Sequence, residues 1–129
     1  MGERLNILLV EDNLLNQRIV TFSLKRFNHE VVIANNGVEA LEQFRSRKFD
    51  VILSDIMMPV MDGLEATVKI REIELSLNTE KRTPIIALTA NTMDNDREKC
   101  LSYGMDEFMA KPFDIEKLNS IFEELNIPS

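Results

Sequence analysis

Residues Leu5 to Val10 form an apolar run broken only by Asn6. A continuous run of this kind suits a strand buried on both faces of a parallel sheet, where a half-exposed strand would alternate. Similar short runs predict strands at Val31–Ala34, Val51–Ser54, Pro84–Leu88 and Glu107–Ala110. Between them, apolar positions recur at helical spacing over Leu14–Phe27, Val38–Arg47, Gly63–Leu77, Met93–Tyr103 and Ile115–Leu125. In the first helix Val20, Leu24 and Phe27 fall on one face; in the second, Val38, Leu41, Glu42 and Arg45 give a narrower stripe. Turn chemistry marks the boundaries. Asn36-Gly37 supplies the turn before the second helix, Gly104 after Tyr103 a left-handed cap, and Asp114 an N-cap before Ile115.

Strand and helix alternating about five times imply a doubly wound α/β fold, a five-stranded parallel sheet with helices on both faces joined by right-handed crossovers. The expected strand order is the flavodoxin-like 2-1-3-4-5, which places a ligand at the switch point between the first and third strands. A length of 129 residues fits one domain spanning 1–129 and is short for a catalytic domain plus a regulatory one. Apolar residues at 44% and charged residues at 29% are the mix of a folded globular chain.

Charge then narrows the partners. A formal charge of −7 argues against direct binding of nucleic acid, because such affinity rests on Lys and Arg neutralising phosphates. No apolar run approaches the roughly 20 residues that span a bilayer, and no signal-peptide pattern opens the chain, so no membrane contact by this domain is expected. The lone Cys100 cannot pair within the chain, which agrees with a reducing compartment. The expected location is the cytoplasm, as a separate protein or as part of a larger, membrane-anchored one.

The predicted strand ends carry the chemistry. Strand one runs into Glu11-Asp12 and strand three into Asp55, so the expected order brings three carboxylates to the switch point. Like charges that close must raise a pKa or recruit a cation, and hard oxygens suit Mg²⁺. Thr89 ends strand four and Lys111 follows strand five, adding a hydroxyl donor and an ammonium. A carboxylate beside Mg²⁺ and a lysine is arranged for in-line phosphoryl transfer, giving an aspartyl phosphate.

Four segments in order, ILLVEDN (7–13), DVILSDIMMPVMDG (50–63), PIIALTAN (84–91) and GMDEFMAKPF (104–113), resemble the receiver domains of response regulators in two-component signalling. The resemblance covers nearly the whole chain and is greatest to receivers attached to hybrid histidine kinases. It implies a phosphorelay role in which Asp55 accepts a phosphoryl group from a histidine kinase or a histidine phosphotransfer domain. It implies Mg²⁺ held directly by Asp12, Asp55 and the backbone carbonyl of Met57, with Glu11 acting mainly through water. Thr89 would move to bond the phosphoryl group, Lys111 would pair with it through a cis Lys111-Pro112 bond, and Phe108 would turn inward with Thr89. The family often has tyrosine where this chain has Phe108, so packing alone separates the two rotamers here. Met57 and Asn91 flank the site at positions that influence loss of the phosphoryl group. Such a domain is no enzyme on external substrates, catalysing only its own phosphorylation and dephosphorylation.

Leu14 and Leu15 open the first helix beside the acids and off its Val20/Leu24/Phe27 face, which suggests a docking patch for the phosphodonor together with Pro112 and Phe113. His29, the only histidine, lies in a predicted turn far from the strand C-termini and reads as a surface residue, not a phosphodonor. Residues 76–83 read as a polar surface loop. Three other classes compete. An Mg²⁺-dependent aspartyl phosphohydrolase usually places an acid two residues after the nucleophile, where this chain has Met57. A flavin phosphate binder needs a Gly- or Ser-rich loop after strand one, where this chain has Glu11-Asp12-Asn13. A non-phosphorylated interaction module of the same fold would leave the matching site residues without a role.

Overall fold

The computed structural model describes residues 4–55, 63–77, 82–89, 94–110, 113–125 and 127. The chain runs β1 (Asn6–Val10), α1 (Leu14–Arg26), β2 (Glu30–Ala34), α2 (Gly37–Ser46), β3 (Val51–Asp55), α3 (Gly63–Ser76), β4 (Ile85–Thr89), α4 (Asp94–Ser102), β5 (Glu107–Ala110) and α5 (Ile115–Glu124). The five strands form one sheet in the order β2-β1-β3-β4-β5, and every pairing is parallel. This is the expected architecture, with element ends within a residue or so of their expected positions.

Alternation along the central strands divides the interior into two layers. Ile7 and Leu9 of β1 join Val51 and Leu53 of β3, Val20 and Leu24 of α1, and Leu118 and Phe122 of α5 in one core. Leu8 and Val10 face the other way, with Ile52, Ala40 and Leu41 of α2, Leu64 and Ile70 of α3 and Cys100 of α4. β1, β3 and β4 are buried on both faces, which is why their sequences run apolar without alternating.

Caps set the helix ends. Asn13, Asn36 and Asp114 are N-caps whose side chains accept backbone N–H bonds from the first turns of α1, α2 and α5. Gly104 has φ of 108° after α4, and Met105 N–H returns to the Cys100 carbonyl, closing that helix with a left-handed cap.

Three expectations are corrected. Phe27 does not share the buried face of Val20 and Leu24: α1 stops at Arg26, Phe27 is its C-cap, and the ring is 49% exposed. In α2 the buried stripe is Gly37, Ala40 and Leu41, while Val38, Glu42 and Arg45 face solvent. The helix starts one residue earlier than expected and presents its smallest residues to the sheet. His29 is not a surface residue but is 5% exposed. The turn after α1, with Asn28 at φ of 67°, folds its ring over the start of β1. There Nδ1 accepts the Leu5 N–H at 3.1 Å, and the ring meets Phe122 edge-on. Burial lowers the imidazole pKa from 6.5, partly offset by the Asp50 charge.

The strand N-termini are tied by a polar knot. Arg71 of α3 donates to the carbonyls of Gly104 and Thr83 and to the carboxylates of Glu74 and Asp106, all at 2.8–2.9 Å. Asp106 also accepts the Ile85 N–H, and Glu74 the Thr83 N–H. These contacts join α3, β4 and the turn before β5 at the end of the sheet away from the strand C-termini.

Candidate functional site

β1 and β3 are adjacent and in register, with Val10 opposite Ser54, so the residues that follow emerge side by side at the C-terminal edge of the sheet. Glu11 follows β1 and Asp55 ends β3; both are buried, while Asp12 is exposed. One carboxylate oxygen from each of Glu11, Asp12 and Asp55 lies within 4.8 Å of the others. The crevice therefore has two buried acids as its floor and one at its mouth.

The loop carrying two of these acids is held by its own hydrogen bonds. Glu11 N–H adds a last rung to Ala34 of β2 at 3.0 Å. Glu11 Oε2 accepts the Asn13 N–H at 3.2 Å, and Asn13 in turn caps α1 by accepting the Asn16 N–H at 3.0 Å. The chain thus turns from strand to helix within Glu11, Asp12 and Asn13, and Asp12 is presented at the sheet edge.

Thr89 ends β4 and is buried. Asp55 pairs with Leu88, so Thr89 stands one residue further along the neighbouring strand, and it pairs in turn with Ala110 of β5. Phe108 pairs with Ala87 and is half-buried against the core of α2, α3 and α4. Of the expected site residues, the fold brings Glu11, Asp12 and Asp55 together and sets Thr89 at the adjoining strand end. Met57, Asn91, Lys111 and Pro112 lie outside the described residues. Leu14 and Leu15 are each 67% exposed beside the acids, whereas Phe113 is half-buried against the core of α1 and α5.

Three features escaped the sequence reading. Ile19 and Phe22 are exposed on α1 and, at four- and seven-residue spacing from Leu15, extend its apolar surface along the helix. Gly63 meets the end of β3: a Cβ there would collide with the Asp55 carbonyl oxygen and lie 2.7 Å from Ser54 Oγ. Gln17 is buried on α1 and bonds the Glu11 carbonyl. Each had a trace in the sequence: apolar residues off the core face, a glycine opening a helix, and a carboxamide in register with Val20 and Leu24.

The donor set fits a hard divalent cation. Three clustered carboxylate oxygens, one of them solvent-facing, suit an ion that binds few protein ligands and keeps several waters, as Mg²⁺ does.

The fold and the acidic edge define the class, a doubly wound domain with a carboxylate crevice at its switch point. The response regulator receiver domain family matches residues 7–123, and the chain belongs to that family. It is 37% identical to histidine kinase 5 of Arabidopsis thaliana over 92% of the chain and 15% of that protein. It is 46% identical to hybrid signal transduction histidine kinase B of Dictyostelium discoideum over 82% of the chain and 6% of that protein. The chain thus spans only a small part of these curated relatives. Among solved structures it resembles the receiver domain of a Pseudomonas aeruginosa PAO1 sensor histidine kinase with a magnesium ion in its active site cleft. That match has a TM-score of 0.82 at 39% identity, covering 95% of this chain and 97% of the other. It also resembles a Saccharomyces cerevisiae receiver domain co-crystallised with a histidine phosphotransfer protein, with a TM-score of 0.86 at 30% identity over 95% and 90% of the two chains. This chain is accordingly a receiver domain of two-component and phosphorelay signalling and not a conventional enzyme. Among the described residues no helix is long and apolar enough to cross a membrane.

Proposed function

We propose that Asp55 is the phosphoacceptor, receiving a phosphoryl group from a phosphohistidine on a histidine kinase or a histidine phosphotransfer domain. The observation that carries this reading is the gathering of Glu11, Asp12 and Asp55 within 4.8 Å at the ends of β1 and β3. A carboxylate oxygen of Asp55 attacks phosphorus in line; the P–N bond breaks, its electron pair returns to the imidazole, and an acyl phosphate forms. Water later attacks the phosphorus and restores the carboxylate. The domain acts only on its own aspartate.

Asp12 and Asp55, with the Met57 carbonyl and water-linked Glu11, are the residues to hold Mg²⁺. Bound there, Mg²⁺ would neutralise charge on the phosphoryl oxygens. The Thr89 hydroxyl donates to the phosphoryl group and the Lys111 ammonium pairs with it. These bonds bias the domain towards an arrangement in which Phe108 packs further inward, and the shift can be no larger than the free energy they supply. Leu14 and Leu15, together with Pro112 and Phe113, receive the donor. Residues 1–129 act as one such unit, facing the cytoplasm.

Intact mass after incubation with acetyl phosphate tests the assignment. A Mg²⁺-dependent gain of one phosphoryl group in the wild type but not in Asp55→Asn is expected. No adduct with acetyl phosphate, and no capture of beryllofluoride, would refute it.

A further inference from the structure

Gln17 sits on the α1 face that carries Val20 and Leu24, where periodicity calls for an apolar residue, and it is 6% exposed. A carboxamide buried there costs free energy unless it is hydrogen-bonded. Both of its N–H groups are used: Nε2 donates to the Glu11 carbonyl at 2.6 Å and to Asn35 Oδ1 at 2.8 Å. Asn35 is held from the other side, its N–H and Nδ2 each donating to Glu39 Oε1 at 3.0 Å. Glu39 N–H donates to the α2 cap, Asn36 Oδ1, at 2.9 Å. The bonds form an unbroken relay from the N-terminus of α2, through one buried amide, to the residue that carries the first acid.

From this relay we infer that Gln17 is a positioning residue for the acidic crevice. The inference rests on reading Glu11, Asp12 and Asp55 as the residues that hold Mg²⁺. Three convergent carboxylates repel one another, and movement of the β1–α1 turn that carries two of them would let them separate. Gln17 opposes this movement. The Glu11 N–H is tied to Ala34 and its carbonyl to Gln17, so both sides of the residue are anchored to neighbouring elements. Asp12 follows directly, with Asn13 fixed as the α1 cap. The acids are thereby held together before a cation arrives, and binding does not have to order the loop. Groups that orient ligands from behind usually influence metal affinity more than their distance from the metal suggests.

Calorimetric titration of Mg²⁺ into the whole chain tests this without relying on phosphorylation. Gln17→Met keeps the length and removes both donors; it should weaken Mg²⁺ binding roughly tenfold. Asn35→Ala, an exposed position that spares the core, should weaken it by about threefold through loss of the relay's second half. Val20→Ala, which opens a cavity on the same face without touching the relay, should lower the melting temperature yet leave Mg²⁺ affinity unchanged. Phosphorylation at saturating Mg²⁺ should return to near the wild-type rate in Gln17→Met.

Wild-type Mg²⁺ affinity in both Gln17→Met and Asn35→Ala would overturn the inference, as would equal weakening by Val20→Ala, which would mark a general loss of stability. Should Gln17→Met fail to fold, Asn35→Ala against Val20→Ala decides the question alone. Absence of Mg²⁺ binding by the wild type would instead overturn the reading of the acids on which the inference rests.

Discussion

Gly63, the first residue of α3, lies against the backbone carbonyl of Asp55, the last residue of β3, with no room for a Cβ between them. The helix start is thus packed directly onto the strand end that carries the proposed phosphoacceptor. Its neighbours are unyielding: one is main chain, and the other is Ser54, itself buried. Gly63→Ala must therefore shift α3 or the end of β3. The expected cost is about 1–3 kcal/mol in denaturant unfolding, the range for an overpacked interior. Phosphorylation by acetyl phosphate should slow as well, because Asp55 moves with its backbone. A variant as stable as the wild type would show that this contact is loose.

His29 links stability to pH. Its Nδ1 accepts the Leu5 N–H, which requires that nitrogen to be unprotonated. Its pKa in the fold is lowered from 6.5, chiefly by burial and against the opposing pull of Asp50. Below 6.5 the unfolded chain therefore binds more protons than the fold. The contribution is complete above that value, declines as pH falls below it, and levels off once the folded imidazole is also charged. Arg4, Lys25 and Glu30 line the same cavity. Melting temperatures measured from about pH 8 to about pH 5.5 should fall more steeply for the wild type than for His29→Gln. Parallel curves would show that His29 does not carry the dependence.

At the opposite end of the sheet from the acids, Arg71 and Arg82 share Asp106 but differ in burial. Arg71 is 14% exposed and bonds two carboxylates and two carbonyls, whereas Arg82 is 54% exposed. Removing the buried partner takes the cation from Glu74 and leaves Asp106 only the exposed Arg82, though both carboxylates keep a backbone N–H; removing the exposed one leaves Asp106 still bonded to Arg71. Arg71→Ala should cost on the order of 2–3 kcal/mol, and Arg82→Ala less than about 1 kcal/mol. Chemical denaturation of the two variants checks the order, and similar losses would refute the ranking.

The sheet order was legible because three central strands are buried on both faces and read as unbroken apolar runs, while the turns between elements carry Asn, Asp and Gly at the caps. Glu11, Asp12, Asp55 and Thr89 were legible for a related reason. In a parallel sheet the first polar residue after an apolar strand falls at the C-terminal edge, so chain position alone gives spatial position. Gln17 and Gly63 were not, because each acts on the main chain at a strand end, the Glu11 carbonyl for one and the Asp55 carbonyl for the other, and such contacts leave no mark in the sequence. Phe27 was misplaced because periodicity does not register the end of a helix, and His29 because its partner, the Leu5 N–H, is a backbone group that leaves no mark in the sequence. Phe22 illustrates the converse: an aromatic residue ordinarily counts as core, and only the packed helix reveals it as surface.

That exposed aromatic bears on how a donor reaches Asp55. Leu14 and Leu15 are 67% exposed, as is Phe22, with Ile19 at 45% between them. Large apolar side chains clustered on one helix face of a folded domain commonly mark a contact surface. The cluster begins immediately beside the acidic crevice, which is the ground for proposing that Leu14 and Leu15 meet a protein whose histidine approaches Asp55. Farther down the helix Phe22 lies 6.0 Å beneath the Arg26 guanidinium, which places a charge at the far limit of the apolar stripe. Acetyl phosphate needs only the crevice, and this separates docking from chemistry. Leu14→Ala and Leu15→Ala should each slow transfer from a phosphorylated histidine phosphotransfer protein by roughly five- to tenfold, as expected for truncating an interface anchor, while the acetyl phosphate rate stays within about twofold. Phe22→Ala, farther from the crevice, should weaken donor binding more than it slows transfer at saturating donor. Equal slowing with both donors would place Leu14 and Leu15 in the support of the acidic loop instead of on a docking surface, and an unchanged rate with the protein donor would exclude this face of α1 from the encounter.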